Sequence, residues 1–374
     1  MIYSIEPIEF IYGKYMSAGR ITSSVAPGGV GKSMMTILDC VSIALNKKIG
    51  HNEPQGAYNV WYYNLEDDMR DMLSRLQAVM EGHGLTEEEK KVVASRVRLT
   101  SGQDHGRIIM AETHKGNTRI RGVDVDKVVE FILRENIKAF IVDPVIKSHQ
   151  LDENNNGDMD FVLDQFKYIA RVTDCAIDLL HHTPKLAHGT KNEEVAGDTL
   201  ALARGGGSFV AALRNSRTLL AMDKWEAEER NIQESERRSY VRVDQGKTNV
   251  SKGGGKEHWY KIEEVILSNK QTGPYLSLVQ GLDPSSLVQS IPDHELAQFK
   301  NAINVGYGDP EEYEFYEIGT KRKDADVYAL AKTILSVVDS TQKAVMVVQK
   351  LVETDLLLVD RHNGKSLVRI GTKA

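Results

Sequence analysis

With 374 residues, 41% of them hydrophobic and 27% charged, the chain is long enough to bury one large core and a smaller one, and its composition is that of a folded globular protein rather than a disordered or fibrous one. A formal charge of −6 argues against coating nucleic acid through bulk charge, while leaving room for a local basic channel. No apolar run approaches the ~18 residues of a membrane span, the first residues carry Glu6 and Glu9 without an apolar signal core, and Cys40 and Cys175 lie in apolar stretches without metal spacing, so the sequence reads as that of a cytosolic protein with core thiols.

From Arg20 to about Met222 apolar strands alternate with amphipathic helices, the pattern of an α/β protein with a parallel sheet covered on both faces. Residues 21–25 read as a strand and 34–45 as a helix. Between them runs Ala26-Pro27-Gly28-Gly29-Val30-Gly31-Lys32-Ser33, with Met34 opening the helix. Strand, glycine-rich loop, helix is the order of a phosphate-binding loop. Its glycines let backbone N–H groups turn inward at angles other residues avoid. The helix N-terminus faces the phosphates with partial positive charge. Lys32 has the reach for the β- and γ-phosphates of ATP, and the Ser33 hydroxyl suits Mg²⁺. Ala26 stands where the usual pattern has Gly and is small enough for the turn.

The next strand, 60–63, ends in Asn64-Leu65-Glu66-Asp67-Asp68. A carboxylate at such a strand tip can orient and deprotonate water, and Glu66 is the candidate base; Asp67 or Asp68 then caps a helix over 67–80, whose expected apolar face is Met69, Leu73, Leu76 and Met80. A strand at 97–100 and a helix at 125–134 follow. Residues 139–142 form a buried strand ending at Asp143, placed to hold Mg²⁺. After a loop at 149–158 and a helix at 161–172, the strand 176–180 leads into His181-His182-Thr183. Adjacent strand residues point to opposite faces, so one histidine meets the nucleotide, and His182 is the candidate γ-phosphate sensor. Residues 184–199 read as a polar loop; Arg204-Gly205-Gly206-Gly207-Ser208 and Arg214 form the last cluster, an arginine there being able to reach a neighbour's nucleotide. Strand-like pieces at 218–222, 239–243 and 259–267 read as antiparallel additions at the sheet edge, and the mixed-charge stretch 225–238 as a solvated helix or hairpin tip.

Pro284 and Pro292 mark a boundary. The expected division is 1–283 for the nucleotide domain, 284–320 for a linker and 321–374 for a small C-terminal domain. That last part reads as helix (326–338), helix (343–352) and two strands (356–359, 367–370) around an Asn363-Gly364 turn, a winged-helix-like order. From residue 321 onward, ten Lys and Arg stand against six Asp and Glu, compatible with nucleic acid and equally with a dimerisation or regulatory domain.

Taken together, the loop 26–33, Asn64-Leu65-Glu66-Asp67, Ile141-Val142-Asp143-Pro144, His181-His182-Thr183-Pro184-Lys185, Arg204-Gly205-Gly206-Gly207-Ser208 and Lys247-Thr248-Asn249 resemble the RecA-like hexameric ATPases, and within them the plasmid replicative helicases of the RepA type. The resemblance spans roughly residues 20–267. It implies ATP and Mg²⁺ as cofactors, Lys32 and Ser33 at the nucleotide and metal, Glu66 as catalytic base, Asp143 at Mg²⁺, His182 as sensor, Arg214 as a finger acting on the neighbouring subunit, and Lys247 as a second basic group in that role. It further implies a hexameric ring threading single-stranded DNA, served by other replication proteins and by no membrane. The loops 147–158 and 184–199 would line the channel, with Lys185 and Lys191 as phosphate contacts. The chain after Asp283 departs from the compact plasmid enzyme, which keeps two other readings open: an ATP-gated DNA-binding adaptor and a filament-forming recombination or repair ATPase.

Overall fold

Short, near-continuous apolar runs, buried on both faces and separated by amphipathic stretches, fold into one long sheet with helices on both faces. The computed structural model describes residues 7–114, 118–183, 192, 213, 215–230, 232–248, 257–280, 282, 288–306, 316–318, 325–339, 341–362 and 365–371. A short hairpin, β1 (Phe10–Tyr12) and β2 (Met16–Ser17), leads into β3 (Ile21–Pro27) and α1 (Lys32–Leu45). Next come β4 (Asn59–Asn64), α2 (Met69–Gly82), α3 (Glu87–Arg96), β5 (Val97–Ser101) and the single turn α4 (Gly102–His105). A second hairpin, β6 (Ala111–His114) and β7 (Thr118–Arg121), precedes α5 (Val125–Arg134), β8 (Ile137–Asp143), a 3₁₀ turn (Val145–Ser148), α6 (Asn156–Thr173) and β9 (Ala176–Thr183). The series ends with β10 (Asn215–Ala221), the short helices α7 (Lys224–Glu229) and α8 (Glu234–Arg237), and strands β11 (Tyr240–Thr248), β12 (Glu257–Ile266) and β13 (Thr272–Val279).

The nine-stranded sheet has the order β13-β12-β11-β10-β3-β9-β8-β4-β5. From β10 to β5 neighbouring strands run parallel, and β11 and β12 add antiparallel. The α/β expectation therefore holds, with one correction: the piece expected at 218–222 falls largely in β10, which pairs in parallel with β3 and so lies inside the parallel block. One face packs α1 and α2 through Met35, Leu38, Tyr62, Met72, Ile141 and Leu180; the other packs α5 and α6 through Trp61, Val128, Ile132, Phe140, Phe166 and Ile177. Cys40 and Cys175 are buried free thiols in these two layers. Among the described residues no helix is long and apolar enough to cross a membrane.

Three local expectations shift. Helix α2 starts at Met69 because the Asp68 side chain accepts from the Asp71 N–H as its N-cap. Its buried stripe is consequently Met72, Leu76 and Val79, and Leu73 is 52% exposed. Helix α6 begins five residues early, because Asn155 at the end of the polar run caps it through the Gly157 and Asp158 N–H groups. The charged stretch 225–238 is not uniformly solvated: Glu226, Ala227 and Arg230 are buried.

Two compact units divide the chain, Met1–Asp223 with Ser235–Leu278, and Lys224–Glu234 with Val279–Ala374. The second unit holds α9 (Asp293–Val305), α10 (Val327–Ile334), α11 (Thr341–Glu353) and the hairpin β14 (Leu357–His362) and β15 (Lys365–Ile370). Its own core joins Phe299, Ile303, Val327, Ala331, Val347, Leu351, Leu357 and Val368. Helix α9 lies in the stretch expected to be a linker and supplies the fully buried Phe299 and Ile303. Asn363 and Gly364 lie outside the described residues.

Candidate nucleotide site

Strand β3 ends at Pro27 and α1 begins at Lys32, so four residues make the whole turn. Gly29 and Gly31 hold φ of 82° and 102°, where a side chain would strain the backbone. Nothing lies within 4 Å of a Cβ built at Gly29, so the backbone angle and not crowding demands glycine there. Gly31 is the N-cap of α1 and supplies no side-chain cap. The first-turn N–H groups of α1 therefore stay available to an anion.

Parallel pairing brings the strand tips to this loop: Ala26 lies opposite His182, and Asn64 opposite Asp143. The Lys32 ammonium donates to His182 Nδ1 at 2.7 Å and to the Ala26 carbonyl at 3.4 Å. Since an ammonium only donates, Nδ1 is the acceptor and the ring proton sits on Nε2. That N–H meets Glu66 Oε2 at 3.2 Å, and the other Glu66 oxygen, Oε1, takes the Lys147 ammonium at 2.9 Å. A continuous chain thus runs Lys32–His182–Glu66–Lys147. Burial lowers the pKa of Lys32, against the pull of Asp143 and Glu66. Partial burial pushes Glu66 up, but Lys147 and His182 outweigh it and hold the carboxyl below its usual range.

Beside this chain, the Ser33 hydroxyl donates to Asp143 Oδ2 at 3.0 Å, and the Tyr62 hydroxyl donates to the same oxygen at 2.8 Å. Burial pushes the Asp143 carboxyl up, opposed by the Tyr62 bond and the Lys32 charge. A hydroxyl and a carboxylate in contact at the mouth of a phosphate loop are the hard oxygen donors that Mg²⁺ takes, so Ser33 and Asp143 fit that ion. Asn64 locks the geometry. Its Nδ2 donates to Tyr62 Oη at 2.8 Å and to Asp67 Oδ2 at 2.9 Å, while its Oδ1 accepts from the N–H of Glu66 and of Asp67. This side-chain turn, together with Arg75 gripping both oxygens of Asp67, fixes the backbone from which Glu66 projects.

Of the residues expected in the site, Ala26, Pro27, Gly28, Gly29, Val30, Gly31, Lys32, Ser33 and Met34 form the loop and the first turn, and Glu66, Asp143 and His182 converge on it. His181 points to the opposite face, where burial pushes its pKa down to about 4. Arg214, Lys185, Lys191 and the Arg204–Ser208 cluster lie outside the described residues, as does the side chain of Lys247, whose backbone is in β11. Sequence reasoning missed Tyr62, Asn64 and Lys147 as site residues. Tyr62 and Asn64 carried a usable signal, standing at alternate positions of a strand that ends beside Glu66.

The model of a family described as "AAA domain" matches residues 3–188, which include Lys32, Glu66, Asp143 and His182. Solved structures similar to this chain include a RadB recombinase (14% identity, 66% of this chain and 89% of that one, TM-score 0.38) and a DnaB-like replicative helicase studied with primase (12%, 67% and 57%, TM-score 0.45). A KaiC-like protein from Pyrococcus horikoshii is also similar (13%, 72% and 100%, TM-score 0.42). The family match spans the loop and the residues that converge on it, and the turn has the geometry of a phosphate-binding loop.

Proposed function

We propose that the chain is an ATPase that assembles into a hexameric ring and uses hydrolysis to move along single-stranded DNA as a replicative helicase. The observation that carries the ATPase part is the chain Lys32–His182–Glu66 at the mouth of the loop. A γ-phosphate seated in the loop competes with His182 Nδ1 for the Lys32 ammonium, so nucleotide binding is felt at His182 and through it at Glu66. Glu66 then takes the proton of the attacking water as that water's oxygen bonds to the γ-phosphorus and the bridging oxygen leaves with ADP. Ser33 and Asp143 would hold Mg²⁺, which supplies charge neutralisation between the phosphates. Burial lowers the pKa of Lys32 while Asp143 and Glu66 raise it, so the same carboxylates that serve catalysis favour the cationic form of the phosphate ligand.

The ring part rests on the order of the clusters in the sequence, with Arg214 as the group that completes a neighbour's site and Lys185 and Lys191 on the strand. Its test is a mixing assay. Arg214→Ala and Lys32→Ala subunits, each inactive alone, should regain ATP turnover when combined, and a mixture that stays inactive counts against a shared site. A second reading, an ATP-gated adaptor that touches duplex DNA with the C-terminal unit, is favoured by that unit's separate core and by the basic balance of residues 321–374. Strand displacement on a forked substrate separates the two, since the adaptor hydrolyses ATP without releasing a strand.

A further inference from the structure

Lys147 takes no part in the phosphate loop, yet it holds one of the two oxygens of the candidate base. We propose that the Lys147–Glu66 ion pair is a latch that keeps Glu66 idle until a backbone phosphate of a bound single strand draws Lys147 away. The proposal rests on the ATPase and single-strand reading above and names how the strand would regulate that site.

Both Glu66 oxygens are occupied, Oε1 by the Lys147 ammonium at 2.9 Å and Oε2 by the His182 N–H at 3.2 Å. A carboxylate held by two donors is a poor acceptor for the proton of a water. The two donors answer to different ligands. His182 is wired inward to Lys32 and so to the nucleotide. Lys147 lies in the 3₁₀ turn after β8, at the head of the polar segment 149–155, and not in the phosphate loop. A nucleotide can loosen the inner hold, and only a separate anion can loosen the outer one. The base is therefore freed when both are bound, which couples hydrolysis to the presence of a strand.

The strength of the outer hold suits a latch. The Lys147 and Glu66 side chains are 35% and 38% exposed, and a half-exposed pair with one N···O contact is worth little net free energy. A phosphate on a polyanion competes with it effectively, because the contact also releases condensed counterions. Lysine further suits the exchange, being a flexible point charge rather than a two-pronged clamp. The adjoining His149 side chain is not at its hydrogen-bonding optimum. His149 Nδ1 accepts from the Leu151 N–H, which leaves the ring proton on Nε2, and that buried atom has no partner among the described residues. The segment is tied to the second hairpin by Met110 N–H to the Ser148 carbonyl and by Gln150 N–H to the Ala111 carbonyl, so a displacement of Lys147 is felt there too.

The experiment measures steady-state ATP turnover of the full chain, with and without a single-stranded oligothymidylate, for the wild type, Lys147→Met, Lys147→Gln and Lys147→Arg. The latch predicts that Lys147→Met and Lys147→Gln raise the rate without DNA on the order of tenfold, a part of the 10²–10⁴ that a general base contributes. They should then respond little to the oligonucleotide, and Lys147→Arg should restore both the low rate and the response. Adding Glu66→Gln to Lys147→Met should abolish the gain, which a purely structural role for Lys147 does not require. A DNA-free rate that is the same or lower in both neutral variants, with stimulation intact, overturns the proposal. A rise in those variants while the wild type ignores single strands overturns the strand as the ligand, and with it the helicase reading, but shows that Lys147 restrains Glu66.

Discussion

The sheet face beneath α1 carries two charge clusters built on opposite plans. Toward the middle of the strands, Arg217 of β10 meets Asp39 of α1 at 2.6 Å and Asp178 of β9 at 3.7 Å, and its Nε donates to the Ser24 hydroxyl at 2.7 Å. The Tyr15 and Ser24 hydroxyls donate to the two Asp178 oxygens, and the guanidinium lies 4.6 Å from the centroid of the Tyr15 ring. At the strand tips, Lys32, His182, Glu66 and Lys147 form an open chain instead. Arg217 and Asp39 are 3% exposed, whereas Glu66 and Lys147 are 38% and 35% exposed. Asp39 lies seven residues after Lys32 and so on the same side of α1. One helix therefore serves both clusters, anchored by one and presented to ligand by the other. A buried cluster fixes where the helix sits; a chain that ends at the half-exposed Glu66 and Lys147 leaves those charges free to change partners.

The largest expected effect breaks the closed cluster. Arg217→Ala leaves Asp39 and Asp178 buried without a counter-charge, at a cost of about 3–5 kcal/mol. Thermal and urea unfolding should show this as a lower midpoint with or without nucleotide. A loss under about 1 kcal/mol would mean that the carboxyls simply take up protons, a route already eased at Asp39, where burial pushes the pKa up against Arg217.

The two adjacent histidines restate the contrast within one strand. His182 belongs to the open chain, and His181 is held neutral on the other face with a pKa of about 4. The unfolded value is about 6.5, so below that pH the unfolded chain binds more protons than the folded one. The contribution of His181 is then fully favourable above about pH 6.5 and is lost progressively as pH falls toward 4, by up to about 3 kcal/mol. His51, His83 and His149 are shifted the same way by burial, so the wild-type slope is shared among them. The difference between wild type and His181→Gln isolates one term: the variant should lose less stability between pH 6.5 and 4. Equal slopes would place the His181 ring in water.

What the sequence revealed follows from how local each signal is. The phosphate loop and the carboxylate at Asp143 were legible because each is fixed by a few neighbouring residues at a strand end. Glu66 was legible as a strand-tip carboxylate, although its partner Lys147 was not. That contact exists only because β8 and β4 pair in register, which brings the turn after β8 and the residues after β4 to the same end of the sheet. Strand β10 was misplaced for the same reason: nothing near residue 218 in the chain tells that it pairs with β3. The buried stripe of α2 was displaced by the choice between two adjacent aspartates as cap, a matter of one hydrogen bond from Asp71 to Asp68. Helix α9 was missed because Pro292 stands at its N-cap position without a side-chain bond, so no capping signal marks its start.

The smallest expected change in stability comes from the residue that matters most to the open cluster. Lys32 is 6% exposed, and burial already penalises its charge. Its bonds to His182 and Ala26 offset that penalty only in part, and both partners keep a route to water or to other donors at the mouth of the loop. Lys32→Ala should therefore move the unfolding free energy by no more than about 1 kcal/mol, in either direction, because a lost bond and a removed buried charge oppose each other. The response to ligand should change completely. ATP bound to the wild type adds RT ln(1 + [L]/Kd), about 2.7 kcal/mol at a hundredfold excess over Kd, and raises its melting temperature. The variant should melt near the nucleotide-free wild type and gain nothing from ATP. If Lys32→Ala instead lost as much stability as Arg217→Ala, the open cluster would be part of the scaffold, and the division of labour along α1 would fail.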